Sequence, residues 1–218
     1  MKKGLDSFTL KIIAITAMTI DHIGSVLYPD LIILRMIGRI TFPIIAFLIA
    51  EGYFHTSNKN KYLLRMFIFA LISQIPFMLA IGNNLNILFN LFFVLLILRI
   101  WETNKDKLIA IGLISLIIPF IFISDWSWIA LALILAFKHF REDKLKIIYS
   151  LTIITGLVVL WYLFLGSLTW AIISFFMLLP IPFIYLYNGK KGKSLKYFFY
   201  IFYPAHLLIL YLIKVFFF

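Results

Sequence analysis

No cysteine occurs among the 218 residues of this chain. Disulfides, thiolate metal sites and a cysteine nucleophile are thereby excluded, although the compartment is not revealed. Charge is also scarce. Only 13% of residues are charged, against about 25% in an average soluble domain. Acidic residues are the rarer of the two charged classes, nine against twenty basic ones. The excess of +11 does not point to nucleic acid, because the basic residues are scattered between apolar runs and are not gathered on a soluble domain. Zinc-ligand spacing, a phosphate-binding loop and a GxSxG elbow are all missing. So are internal repeats, low-complexity tracts and long linkers, and the chain is expected to form one integral-membrane domain over 1–218.

What fills the sequence is apolar: 64% of it is hydrophobic. Successive apolar runs of roughly 17 to 25 residues, the length that crosses a bilayer as helix, predict an all-α polytopic membrane protein. Nine spans are expected, at 8–27, 31–54, 62–82, 85–101, 108–124, 126–138, 146–166, 168–187 and 197–218. The sixth is too short to cross about 30 Å unaided at 1.5 Å per residue, which leaves open borrowed flanking residues, a partly re-entrant segment and an eight-span chain. The N-terminal stretch has a basic start and an apolar middle but lacks a clear small-x-small cleavage site, so it is expected to be a retained span.

Seventeen of the twenty basic residues fall in five groups at alternate turns. These are Lys2, Lys3 and Lys11; Lys59, Lys61 and Arg65; Arg99, Lys105 and Lys107; Lys138, Arg141, Lys144 and Lys146; and Lys190, Lys191, Lys193 and Lys196. By the positive-inside rule the N-terminus is expected in the cytoplasm and the C-terminus outside. Trp126 and Trp128 are then expected at the outer interface and Trp101 at the inner one.

Ionisable residues at membrane depth are functional candidates by default. Arg35 and Arg39 lie four apart on one face of the second span and need a partner. Hairpin register through Pro29 sets Asp21 level with them. The same register around Asn58 sets Glu51 level with Arg65. His22 points about 100° away from Asp21, and is expected to face a cavity. His206, in FYPAHLL, lies near mid-membrane beside Pro204. Gln74, beside Pro76, repeats that combination of a polar side chain and a helix-breaking residue, which predicts broken helices lining enclosed space. A purely structural ion-pair network and interhelical histidine hydrogen bonds are the competing explanations for these groups. Glu51 and His55 share a helical face as metal ligands would, but two ligands make a weak signal and no metal is expected. His139, beside REDK, reads as solvated, and Lys190, Lys191 and Lys193 as topological.

The segments KIIAITAMTIDHIG, LRMIGRITFPIIAFLIAEGYFHTSNKNKYLLRMFIFALISQIPF and FYPAHLLIL resemble the TraX family of bacterial membrane proteins. The likeness is dense from Lys11 to Phe77, returns weakly at NILFNL and closes around His206; residues 100–195 match mainly in hydrophobicity. The family is known for N-terminal acetylation of conjugative pilin and is distantly similar to multispan acyltransferases that use cytosolic acyl-CoA. The resemblance implies a membrane-embedded acetyltransferase of the bacterial cytoplasmic membrane. Acetyl-CoA would be the co-substrate inside, and the acceptor outside would be a protein N-terminus or a surface glycan. It carries over Asp21, His22, Arg35, Arg39, Glu51, His55 and His206.

Acyl transfer needs a base for the acceptor proton, and imidazole titrates near working pH. His22 is the first choice and His206 the second. Asp21 and Glu51 complete the candidate catalytic set, with Arg39 at the developing oxyanion. Arg35, His55, Lys59, Lys61 and Arg65 form the candidate cofactor-binding set, where CoA phosphates would meet basic side chains. The alternatives are a small transporter or channel using a buried charge path, and a non-catalytic membrane assembly factor.

Overall fold

The structure is a computed structural model that describes residues 4–217, with the side chain of Lys196 also left aside. Lys2 and Lys3 of the first basic group lie outside the described residues. Among those residues the fold is all-helical: α1 (Ser7–Val26), α2 (Ile32–Gly38), α3 (Thr41–His55), α4 (Lys59–Ala80), α5 (Ile87–Thr103), α6 (Lys107–Phe122), α7 (Ser127–His139), α8 (Lys144–Phe164), α9 (Leu168–Phe175), α10 (Ile181–Tyr185) and α11 (Lys196–Phe217). Two isolated bridges, Leu5 to Tyr187 and Leu85 to Ser124, are the extended pairings described.

The expected second and eighth spans are present, each broken in the middle. Ile32–His55 divides at Arg39 and Ile40, and Leu168–Tyr185 divides at a short 3₁₀ turn, Phe176–Leu178. Proline explains both breaks. Pro43 has no N–H for the Arg39 carbonyl, and Pro180 and Pro182 have none for Phe176 and Leu178. Counting each broken pair as one pass, the described chain makes nine helical passes. Prolines elsewhere do not break their helices: α4 continues through Pro76 and α11 through Pro204. The expectation of broken helices at those two positions is corrected accordingly.

The short sixth span, α7, runs from one end of the bundle to the other. At one end Asp125 N–H donates to the Leu85 carbonyl at 2.8 Å. At the other, Lys138 of α7 pairs with Glu102 at 2.5 Å. Thirteen residues suffice because α7 is enclosed by other helices, with Ala130, Leu133 and Ile134 wholly buried. It packs on α3, α8, α5 and α6. Lipid-facing length is not demanded of a helix whose neighbours are protein.

Four turns and the N-terminal segment gather at one end of the bundle, which we call the basic end. There the Leu5 amide donates to Leu186 O and the Asn188 amide to Leu5 O, both at 2.9 Å. Glu102 joins α5 to α4 and α7 by accepting from Lys59 at 2.8 Å and from Lys138, and to α3 by accepting from the Tyr53 hydroxyl at 2.7 Å. Trp101 lies at this end under the Lys107 ammonium, 4.6 Å from its ring centre. The opposite end is bound by neutral groups. Wholly buried Asn86 donates to Ala70 O and Gln74 Oε1, and Gln74 Nε2 donates to Asn84 O at 2.9 Å. Gln74 therefore ties a turn and does not line open space.

Candidate functional site

Toward the opposite end, α1 carries Asp21 and His22 on different faces, and each meets a different helix. Asp21 faces α2. Its Oδ2 lies 2.7 Å from Arg35 Nη1, and its Oδ1 lies 3.9 Å from Arg39 Nη2. Arg35 Nη1 also donates to the Asp21 carbonyl at 3.2 Å. The expected hairpin ion pair is present, with both arginines taking part. Gly38 permits it: a Cβ there would stand 2.0 Å from Asp21 Oδ1, so the carboxylate occupies the space that any side chain would fill.

His22 faces α11. Its Nδ1 lies 2.6 Å from Nε2 of His206. The ring planes differ by 7° and their centroids are 4.9 Å apart, which with so short an N···N distance places the imidazoles edge to edge in one plane. The expectation that His22 is free to face a cavity is corrected here. The two candidate bases form one pair, because α1 packs against α11 as well as α2 and α3.

The hydrogen bonds fix the tautomers. His206 Nδ1 lies 2.7 Å from the Phe202 carbonyl, and a carbonyl only accepts, so Nδ1 carries the proton. With neutral rings, Nε2 of His206 then accepts from Nδ1–H of His22. His22 is left with its lone pair on Nε2, the atom that can take a proton from an incoming group.

Aromatic rings enclose the arginines. The Arg39 guanidinium lies 5.0 Å from the Trp126 ring centre and 5.8 Å from that of Trp170, and Arg35 is also 5.8 Å from Trp170. Trp126 in turn stacks on Phe42 at 4.3 Å, so its ring faces the bundle interior. Its backbone is left-handed, φ 61°, and Ser127 follows at φ 39°. Strain of that kind in a non-glycine residue costs about 1–3 kcal/mol and concentrates at functional sites. Asp125 acts electrostatically on Arg39, so the site holds two arginines and two aspartates. Four buried polar atoms around it have no hydrogen-bond partner among the described residues: Asp21 Oδ1, Arg39 Nε, Asn90 Oδ1 and Tyr203 Oη.

The remaining candidates lie at the basic end. Glu51 does not meet Arg65. It pairs with Arg141 Nε at 3.4 Å and with His55 at 3.5 Å, because α3 packs on α7 and α1, while α4 packs on α5 and α11. Arg65 lies against Tyr62 and Tyr200. Lys59 is held by Glu102, and Lys61 is exposed near the start of α4. Arg35, expected with the cofactor set, sits instead in the Asp21 cluster. The structure thus joins Asp21, His22, Arg35, Arg39 and His206 and leaves Glu51, His55, Lys59, Lys61 and Arg65 at the other end.

The TraX protein family matches residues 7–214. This chain belongs to the TraX family. Among its relatives, a protein of Dichelobacter nodosus described as "Probable fimbrial assembly protein FimC, serogroup H1" is 32% identical over 96% of this chain and 97% of that protein. A Rickettsia prowazekii (strain Madrid E) protein, RP591, is 46% identical over 30% of this chain and 25% of its own length. No solved structure matches.

Sequence reasoning missed Trp126, Trp170, Asp125, Asn90 and Gly38 as site members. Trp170 and Asp125 come from residues 100–195, where hydrophobicity masks any motif. Gly38, inside a span that already carried two arginines and a proline, was the legible signal.

Proposed function

We propose that this TraX-family protein is a membrane-embedded acetyltransferase. It takes acetyl from acetyl-CoA on the basic side, which the positive-inside rule makes cytoplasmic, and delivers it to an amine or hydroxyl on the far side. The observation that carries this reading is the His22–His206 pair, whose hydrogen bonds leave a lone pair on His22 Nε2, with the Asp21–Arg35–Arg39 cluster anchored on the neighbouring residue of α1. His22 removes the proton from the acceptor as its nitrogen or oxygen attacks the thioester carbonyl. Nδ1–H of His22 stays bonded to His206, which holds the ring and stabilises the imidazolium. Arg39, only loosely paired at 3.9 Å, faces the charge that develops on the carbonyl oxygen. When the carbon–sulfur bond breaks, the proton on His22 passes to the CoA thiolate. The name of the fimbrial relative supports a role in pilus assembly, and in this reading the acceptor is the N-terminus of a pilus subunit.

Purified protein in liposomes, given radiolabelled acetyl-CoA and a peptide with a free N-terminus, should label the peptide. His22→Ala should lose about 100- to 10,000-fold of that rate while remaining folded in the bilayer. Label transfer at wild-type rate in His22→Ala would remove it as the base. Solute flux independent of acetyl-CoA would favour a transporter, and pilus assembly without label transfer would favour a non-catalytic assembly factor.

A further inference from the structure

At the basic end a cavity of about 430 Å³ opens between α3, α8 and the segment that follows α10. Its floor is apolar, made by Phe47, Ile147 and Ile184, and its rim carries Glu51, Arg141, Lys144 and the backbone of Leu186 to Gly189. Lys144 keeps its full charge, but two of its three N–H donors are committed to the carbonyls of Tyr185 at 2.6 Å and Tyr187 at 2.8 Å, which braces the rim. Arg141 is less committed. Its guanidinium packs 3.4 Å from the Phe54 ring centre and approaches Glu51 and Glu142 only to 3.4 Å, longer than the roughly 2.7–2.9 Å of a good charge-assisted bond.

Beyond the rim the chain turns through Gly189 at φ +80° and Gly192 at φ +66°. Those turns leave Lys190, Lys191 and Lys193 exposed in the segment that runs on from Gly189 of the rim, and none of the three has an ion pair among the described residues. An apolar floor under a cationic rim suits a ligand with phosphates at one end and an uncharged arm at the other.

We infer that this cavity seats a phosphorylated acyl carrier, with its phosphates on Arg141 and the Lys190–Lys193 turn and its arm over Phe47, Ile147 and Ile184. The inference rests on the acetyl-transfer reading and relocates its donor. Lys59, Lys61 and Arg65, the sequence-based choice, do not line the cavity, and Lys59 is held by Glu102. From Glu51 to Arg39 is twelve residues of the second pass, about 18 Å at helical rise. The layer between holds Phe42, Ile44 and Ala46, each no more than 2% exposed. That layer must part for a thioester at the end of the arm to reach His22.

The test measures equilibrium binding of tritiated coenzyme A to the full chain in nanodiscs of phosphatidylcholine alone. Arg141→Gln, and separately the triple change of Lys190, Lys191 and Lys193 to Gln, should each weaken binding about tenfold. Glu51→Gln should tighten it severalfold, because it removes the carboxylate that competes for Arg141. A purely structural role for the Glu51–Arg141 pair would make both single variants bind worse. Ile184→Trp, which fills the floor, should weaken binding without altering any charge. Wild-type affinity in the Arg141 and triple variants, or weaker binding by Glu51→Gln, would overturn the assignment. So would retention of phosphatidylglycerol, from mixed nanodiscs, by a protein that does not bind coenzyme A, since the cavity would then be a lipid-headgroup site. Coenzyme A binding with this pattern but no acetyl transfer would overturn the enzyme and leave the cavity assignment standing. Acetyl transfer with binding indifferent to Arg141 would do the reverse.

Discussion

Gly38→Ala moves the ionic half of the site against its histidine half. A Cβ at position 38 would lie 2.0 Å from Asp21 Oδ1 and 2.3 Å from both Cβ and Cγ. A new rotamer of Asp21 moves the carboxylate but not its Cβ, which is fixed to the backbone of α1. The two helices must therefore separate by roughly 1 Å, an overpacking that costs about 1–3 kcal/mol. His22 is the next residue of α1 and moves with it, and misplacing a reacting group by about 1 Å costs on the order of 100-fold in rate. The expected outcome is a protein that folds, melts at a lower temperature and transfers acetyl about 100-fold more slowly. Label transfer in liposomes and thermal unfolding followed by tryptophan fluorescence measure the two effects. Gly156→Ala, in the middle of α8, is the control: the added methyl would have nothing within 4 Å of it, and the variant should match wild type. A Gly38→Ala protein with wild-type rate and melting would refute the claim that this close approach seats His22.

Three further outcomes are expected. His206→Leu leaves Nδ1–H of His22 without an acceptor and should lower transfer by roughly 100-fold, whereas His206→Gln, whose side-chain oxygen can accept, should retain more of it. At the basic end, burial alone would raise the Glu102 carboxyl, but bonds from Lys138, Lys59 and Tyr53 outweigh it and hold the carboxyl down at about 2, from an ordinary 4.5. The stabilisation is then complete above pH 4.5 and lost as pH falls toward 2; wild-type melting temperature should drop across that window, and Glu102→Gln should melt lower at neutral pH with a flatter profile. Asn86→Leu removes a wholly buried side chain that ties the 81–86 turn to α4, and the loss should be about 1–3 kcal/mol by denaturant titration.

Which groups lie level across the first hairpin was legible in the sequence, and which helix a group faces was not. Asp21 meets Arg35 and Arg39 because the turn at Pro29 is tight and helical rise is constant, so counting residues outward from it sets them level. The same counting set Glu51 level with Arg65, yet Glu51 meets Arg141. Level is a property of the sequence, whereas the facing helix is chosen by which apolar surfaces pack, and α3 packs on α7 and not on α4. The short α7 shows the same division, since its length left a re-entrant segment open and its enclosure by other helices lets it run the length of the bundle.

The sequence by itself determined an all-helical membrane protein, the alternation of basic turns, its TraX membership and five of the residues in the candidate site. These follow from local quantities: run length, residue type and motif. Only the tertiary structure decided that His22 and His206, 184 positions apart, share a hydrogen bond. It also decided that Trp170 and Trp126 cover the arginines, and that the donor-side candidates stand at the far end of the bundle. Such pairings depend on how nearly uniform apolar faces pack around one another, and faces so similar in composition carry no local mark of the neighbour they will meet.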